Sequence, residues 1–216
     1  MNTLLRRREM MVRDTAPAPI FHARLVFDGQ AAIATDIPLP SDGSVRFCTC
    51  GRETTKAGQA IFSAQNDSNS TVLGIALSSS TTSTTRTFLV RYASTSAVSN
   101  NKTLGFSNES YGLFMTPNGF GWGSTFNSYT KGSSAPTGGL IFGMGIMSQK
   151  FTGQIGRVFI YGADAKNCQS TTDFGSYTPL YNLRPCTYLG EAGLWCVETS
   201  TFYGNTAGVG TLSVAD

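Results

Sequence analysis

Short apolar runs, each stopped by turn chemistry, recur along almost the whole chain and leave little choice of architecture. Phe21-His-Ala-Arg-Leu-Val-Phe27 closes at Asp28-Gly29, Val45 to Cys50 closes at Gly51, and Ala60-Ile-Phe-Ser63 gives out before Asn66-Asp67. Thr71 to Leu77 alternates in part and gives way to a Ser/Thr run from Ser78 to Thr85. Arg86 to Tyr92 resumes, with Phe88, Val90 and Tyr92 predicted on one face and Leu89 on the other. Tyr111 to Thr116 and Phe120 to Trp122 flank Pro117-Asn118-Gly119, and Asn-Gly between apolar runs is a strong hairpin signal. Leu140 to Ile146 is apolar but loosened by Gly143 and Gly145. Gln154 to Tyr161 is apolar on both faces, which predicts one long central strand. These runs predict an all-β fold, a two-sheet antiparallel jelly-roll sandwich. No internal repeat of fixed period points to a propeller or solenoid.

Composition agrees. The 216 residues suit one such domain, and 24 glycines and 14 phenylalanines against 13% charged residues favour strands and turns over surface helices. The formal net charge is +3 and unevenly spread. Residues 1–14 hold Arg6, Arg7, Arg8 and Arg13 against Glu9 and Asp14, which is 4 − 2 = +2, leaving +1 for the remainder. A nearly neutral body argues against nucleic acid as the main partner, because phosphate binding needs clustered cations.

Two parts are expected: a basic arm with a Pro-rich hinge over residues 1–19, then one sandwich over residues 20–216. Leu4, Leu5, Met11 and Val12 fall on one side of a helix, a stripe interrupted by Arg8 and flanked by Arg6 and Arg7, with Thr3 as its N-cap. Thr15-Ala-Pro-Ala-Pro19 reads as an extended hinge. The arm combines charge with an apolar stripe, as suits docking into a groove on an acidic partner. No secretion signal and no run long enough to span a membrane is apparent, so assembly inside a cytoplasm is expected.

Two stretches and the tail resemble laminin-G-like, concanavalin-A-like jelly rolls of phage virion and gut-bacterial surface proteins. Phe27-Asp28-Gly29-Gln30 leading into Ile33 resembles their opening, and Phe151 to Gly162 their late strand, of the form F-x-G-x-I-x-x-h-x-I-Y. Arg184-Pro-Cys186, Gly193-Leu-Trp195, Phe202-Tyr-Gly-Asn205 and Gly208-Val-Gly-Thr-Leu212 resemble a C-terminal signature of such proteins, departing from it at Trp195-Cys196, Gly204 and Leu212. The resemblance implies the jelly roll and a virion or exposed bacterial setting. The absent signal and the basic arm favour the virion. In the tail, Asn205 and the glycines around it are expected to make tight turns, with Trp195, Phe202 and Tyr203 as core anchors.

Chemistry is hard to find. Glycoside hydrolysis uses two carboxylates flanking the scissile bond, and the alternate acidic spacing that places two on one strand face is missing. Glu191 and Glu198 are seven apart, while Asp28, Asp164 and Asp173 stand singly in turns. A nucleophilic triad would have to use His22, the lone histidine, read here as a partly buried strand residue. The five cysteines, Cys48, Cys50, Cys168, Cys186 and Cys196, make a poor disulfide framework or zinc set and are expected to be free thiols, with no bound metal. Calcium could find oxygen ligands at Asn66-Asp67 or at Asp36 with Asp42, although no dense acidic loop is present.

Sugar recognition is the best small-ligand reading. Gly119-Phe-Gly-Trp-Gly-Ser-Thr-Phe126 mixes aromatic, glycine and hydroxyl residues, so Phe120, Trp122 and Asn127 are candidate glycan contacts, with the loops at 64–70 and 94–103 nearby possibilities. Two functions follow. The first is a non-enzymatic virion accessory protein, head decoration or fibre component, anchored by its arm and working as a homo-oligomer or part of a larger assembly. The second is a carbohydrate-binding recognition or adhesion module. No cofactor is expected for either.

Overall fold

The computed structural model describes residues 17–51, 58–78, 85–96, 98–103, 110–145 and 149–216. The predicted helical arm, Leu4, Leu5, Arg6, Arg7, Arg8, Met11 and Val12 included, lies outside the described residues. The regular structure of the rest is almost entirely strand. The first half runs β1 (Ile20–Phe21), β2 (Arg24–Asp28), β3 (Ile33–Pro38), β4 (Ser44–Gly51), β5 (Gln59–Gln65), β6 (Thr71–Leu77), β7 (Thr85–Arg91) and β8 (Val98–Thr103). The middle supplies β9 (Ser110–Thr116), β10 (Gly119–Trp122), β11 (Thr125–Ser128), β12 (Gly139–Phe142), β13 (Gln149–Lys150), β14 (Thr152–Ile155) and β15 (Val158–Tyr161). Two short 3-10 turns, Ala163–Ala165 and Asp173–Ser176, precede β16 (Tyr181–Tyr188), β17 (Glu191–Cys196), β18 (Thr201–Tyr203) and β19 (Leu212–Ala215).

Two sheets pack as a sandwich. The larger has the order β11-β10-β9-β4-β15-β16-β17-β18, with β1 on β16, β14 on β2 and β4, and β19 on β2. The smaller has the order β3-β12-β5-β6-β7-β8. Pairing is antiparallel except where β13 joins β5. Phe47 of one sheet meets Phe62 and Phe142 of the other at ring-centroid distances of 5.2 and 6.2 Å, and all three are fully buried. Alternation fixes the faces. Val45 and Phe47 on β4 are buried while Arg46 and Cys48 are partly exposed, and Leu194 and Cys196 on β17 are buried while Trp195 is partly exposed. The larger sheet therefore has a core face and an outer face. Part of that outer face is plated by the segment after β15, whose Ala165, Cys168 and Phe174 form a second apolar cluster with Phe114 and Tyr161.

Three predicted runs are broken by the structure. The Phe21–Phe27 run divides at His22-Ala23, because β1 pairs with β16 whereas β2 pairs with β14 and β19. The long strand at Gln154–Tyr161 divides at Gly156-Arg157. There the Gly156 N–H bonds the Thr49 carbonyl at 2.7 Å, and a β-carbon on Gly156 would sit 2.1 Å from the Thr49 hydroxyl. Both halves are central, β14 between β2 and β4 and β15 between β4 and β16. The Leu140–Ile146 run is strand from Leu140 to Phe142 and leaves the strand at Gly143, which takes φ of +81°; Ile146 lies outside the described residues. The Asn118-Gly119 hairpin forms as predicted, joining β9 to β10 with Gly119 opposite Thr116.

The two ends of the sandwich are tied by side chains in its opening and closing motifs. Asp28 accepts the N–H groups of Gln30 at 2.8 Å, Ala31 at 2.9 Å and Thr211. Asn205 accepts from Ala32 at 3.2 Å and Ala207 at 3.0 Å, and its amide donates to the Val209 and Gly210 carbonyls. The predicted tight turn after Asn205 is therefore held by one amide side chain.

Candidate functional site: an arginine and aromatic face

Cross-strand register builds a row of side chains across the outer face. Phe159 on β15 sits opposite Arg46 on β4 and opposite Asn182 on β16. One step along, Arg184 on β16 sits opposite Trp195, which sits opposite Phe202. Continuing the Val158–Leu183 register places Arg157 beside Arg184, and the Arg157 carbonyl accepts the Cys48 N–H at 2.8 Å. The Arg46 and Arg157 guanidinium carbons lie 5.8 and 5.2 Å from the Phe159 ring centroid, and that of Arg184 lies 3.8 Å from the Phe21 ring. These are cation–π distances, which align each guanidinium without neutralising it. Tyr188 packs against both Trp195, at 5.2 Å, and Phe202, at 5.5 Å.

The polar groups of this face are incompletely matched. The Nε atoms of Arg46 and Arg157 and the Oδ1 atom of Asn182 are buried with no hydrogen-bond partner. None of the ion pairs among the described residues involves Arg46, Arg157 or Arg184. Partial burial, reinforced by the neighbouring charge of Arg157, lowers the pKa of Arg184 below the usual guanidinium value. Arg46 does bond the Tyr161 hydroxyl, which offsets part of the rise that burial imposes on that phenol. Cys48 lies in the same row. Burial raises its pKa, and the charges of Arg46 and Arg157 oppose the rise.

The residues expected to meet a sugar are elsewhere. Phe120 is fully buried and Trp122 is 6% exposed, stacked on Phe88 at 5.7 Å and 23° in the middle of the core. Asn127 sits opposite Phe120 on β11, half-buried, with its amide nitrogen buried and unpaired. The exposed-platform reading of this hairpin is thus corrected: alternation turns Phe120 and Trp122 inward and leaves Gly119 and Gly121 on the outer side. The same rule reverses the reading of the tail. Trp195 and Phe202 belong to the outer face, and of the three expected anchors only Tyr203 packs against the main core.

His22 has acquired partners that its sequence neighbourhood does not announce. Its Nδ1 lies 3.0 Å from Asp216 Oδ1 and its Nε2 3.2 Å from Thr187 Oγ1. The order hydroxyl, imidazole, carboxylate imitates a proton relay. Thr187, however, is paired on both sides, to Ile20 of β1 and Ala192 of β17, so the amides beside it serve the ladders and not an oxyanion. The trio clasps the last strand to β1 and β16.

Four other carboxylates among the described residues have local duties. Asp36 accepts the Tyr203 hydroxyl, Asp42 pairs with Lys131, Asp173 accepts the Gln169 and Ser170 N–H groups, and Glu198 accepts the Asn182 N–H at 2.7 Å. Asn66 Oδ1 accepts the Ser68 and Ser70 N–H groups in its own turn. Of the residues considered for calcium, Asn66, Asp36 and Asp42 are thus each engaged in a turn or a pair. Four of the five free cysteines are buried and Cys48 is half-buried.

No family model and no curated protein matches the chain. Among solved structures, the full extracellular region of zebrafish Gpr126/Adgrg6 is similar at 14% identity and a TM-score of 0.46, over 88% of this chain. This chain spans 27% of that one.

Proposed function

We propose that this chain is a non-enzymatic contact module, a phage virion accessory protein of the head-decoration or fibre kind. Its N-terminal arm attaches it, and its sandwich is displayed outward. The observation that carries contact over catalysis is the outer face around Phe159, broad and rich in arginine and aromatic side chains, where no carboxylate among the described residues pairs with the guanidiniums. Asp28, Asp36, Asp42, Asp173, Glu198 and Asp216, by contrast, are spent singly on turns and clasps. The virion setting draws its support from the sequence, from the basic arm and the laminin-G-like opening and tail motifs. A carbohydrate-recognition or adhesion role is the second reading, favoured by the half-exposed Trp195 and Phe202.

Deleting residues 1–14 tests the first reading. The truncated protein is expected to stay folded and soluble and to be missing from purified assembled particles. Normal incorporation of the truncated chain would remove the attachment role from the arm.

A further inference from the structure

We propose that the outer face centred on Arg157, Phe159 and Arg184 is a second docking surface, for a protein partner that presents carboxylates among apolar side chains. This goes beyond attachment by the arm and does not depend on it. Arginine and large aromatics are the side chains enriched where protein interfaces concentrate their energy, and lysine and glutamate are depleted there. The row Arg157, Arg184, Trp195, Phe202 has that composition. Buried polar atoms are normally satisfied, yet Arg46 Nε, Arg157 Nε and Asn182 Oδ1 are not; the two arginines lie over the Phe159 ring and Asn182 sits opposite it on β16. Two guanidiniums side by side repel, and a carboxylate placed between them relieves the repulsion and supplies acceptors.

The protein already covers the other part of this face in the same manner. The segment carrying Cys168 and Phe174 lies over Phe114 and Tyr161, so a polypeptide laid on this sheet finds apolar contacts. Beyond the edge of that segment, where Phe159 packs against it, the face carries the cations. A second copy meeting it about a two-fold axis would set arginine against arginine. Residues 1–14, at 4 − 2 = +2, also have the wrong sign. An acidic partner is what remains complementary.

The test uses the full chain with its arm intact. The probes are an extended peptide alternating Glu with Leu, a heparin oligosaccharide and an oligothymidylate, compared at physiological salt, where loosely held polyanions are screened. About eight residues at ~3.4 Å each suffice for the peptide to cross five strands spaced ~4.8 Å apart. The peptide is expected to bind tightest, and R157Q with R184Q to weaken it by about tenfold or more, while R157K with R184K retains part of the binding. Saturation with peptide should also slow alkylation of Cys48, a readout taken on the unaltered protein and so independent of how the variants fold. Binding that ignores the arginine variants, an unprotected Cys48, or failure of the peptide to bind would overturn the proposal. Tighter binding of heparin or oligothymidylate, abolished by the same variants, would overturn the protein assignment in favour of a polysaccharide or nucleic acid.

Discussion

The two tryptophans should respond in opposite ways to the same truncation. Trp122 is 6% exposed, stacked on Phe88 and edge-on to Phe120 at 5.4 Å. A tryptophan burying roughly 200 Å² at about 25 cal/mol per Å² contributes at most about 5 kcal/mol, and measured Trp-to-Ala losses in cores run about 3–5 kcal/mol. That is a large share of the roughly 5–15 kcal/mol that holds a domain together. Trp195 lies partly exposed on the outer face, with the Tyr188 ring against it and Phe202 opposite it on β18. Losing those contacts should cost about 1 kcal/mol. In urea, with a slope of about 2 kcal/mol per molar, Trp122→Ala should lower the midpoint by about 1.5–2.5 M and Trp195→Ala by about 0.5 M. Fluorescence gives an independent check. With Trp122→Phe the remaining emission should be red-shifted and quenched by acrylamide, and with Trp195→Phe it should be blue-shifted and protected. Equal midpoint losses, or a Trp122 more quenchable than Trp195, would refute the facing assigned to β10 and β17.

Two further outcomes are expected. Desolvation raises the Asp28 pKa, but the Gln30, Ala31 and Thr211 N–H bonds outweigh it and hold the carboxyl below 3.8, so its stabilisation is fully present above the unfolded-state pKa and lost as pH falls through the native one. Asp28→Asn should therefore lower the urea midpoint at neutral pH, and its gap from the parent should close in acid; a gap independent of pH would count against this. Alkylation followed by mass measurement should modify all five cysteines in denaturant but Cys48 first in the native state, because Cys168 and Cys186 are buried and pushed up to about 11. Prior modification of either buried thiol would contradict that order.

Much of the sandwich was legible because strand runs and turn residues are local signals. Thr71–Leu77 and the Asn118-Gly119 hairpin needed only neighbours in sequence. Facing was harder to read. Phe120-Gly-Trp122 and Leu194-Trp-Cys196 each alternate, but which member points inward depends on the sheet they join, and both tryptophans were assigned to the wrong side. The arginine face was illegible for a related reason. Arg46, Arg157 and Arg184 come from three separated strands, and only the pairing of β4, β15 and β16 sets them together. His22 carries the same lesson, since its partners lie 165 and 194 residues away. The one available signal was negative: arginines at alternating positions in otherwise apolar strands, without acidic neighbours to match.

The plating of the larger sheet is uneven, and that unevenness bears on how the fold breathes. Across β9, β4 and β15 the backbone is shielded by the core on one side and by the Phe174 cluster on the other. Across β16, β17 and β18, among the described residues, it is shielded on the core side alone. Amide protons at Val45, Phe47 and Ile160 should thus exchange only through global opening, whereas those toward Phe202 escape through small excursions of the β18 edge. The sheet is stiff at one end and pliant at the other, and Arg46, Arg157 and Arg184 straddle the boundary between the two. An encounter there would meet a surface able to settle onto its visitor while the far end holds the shape.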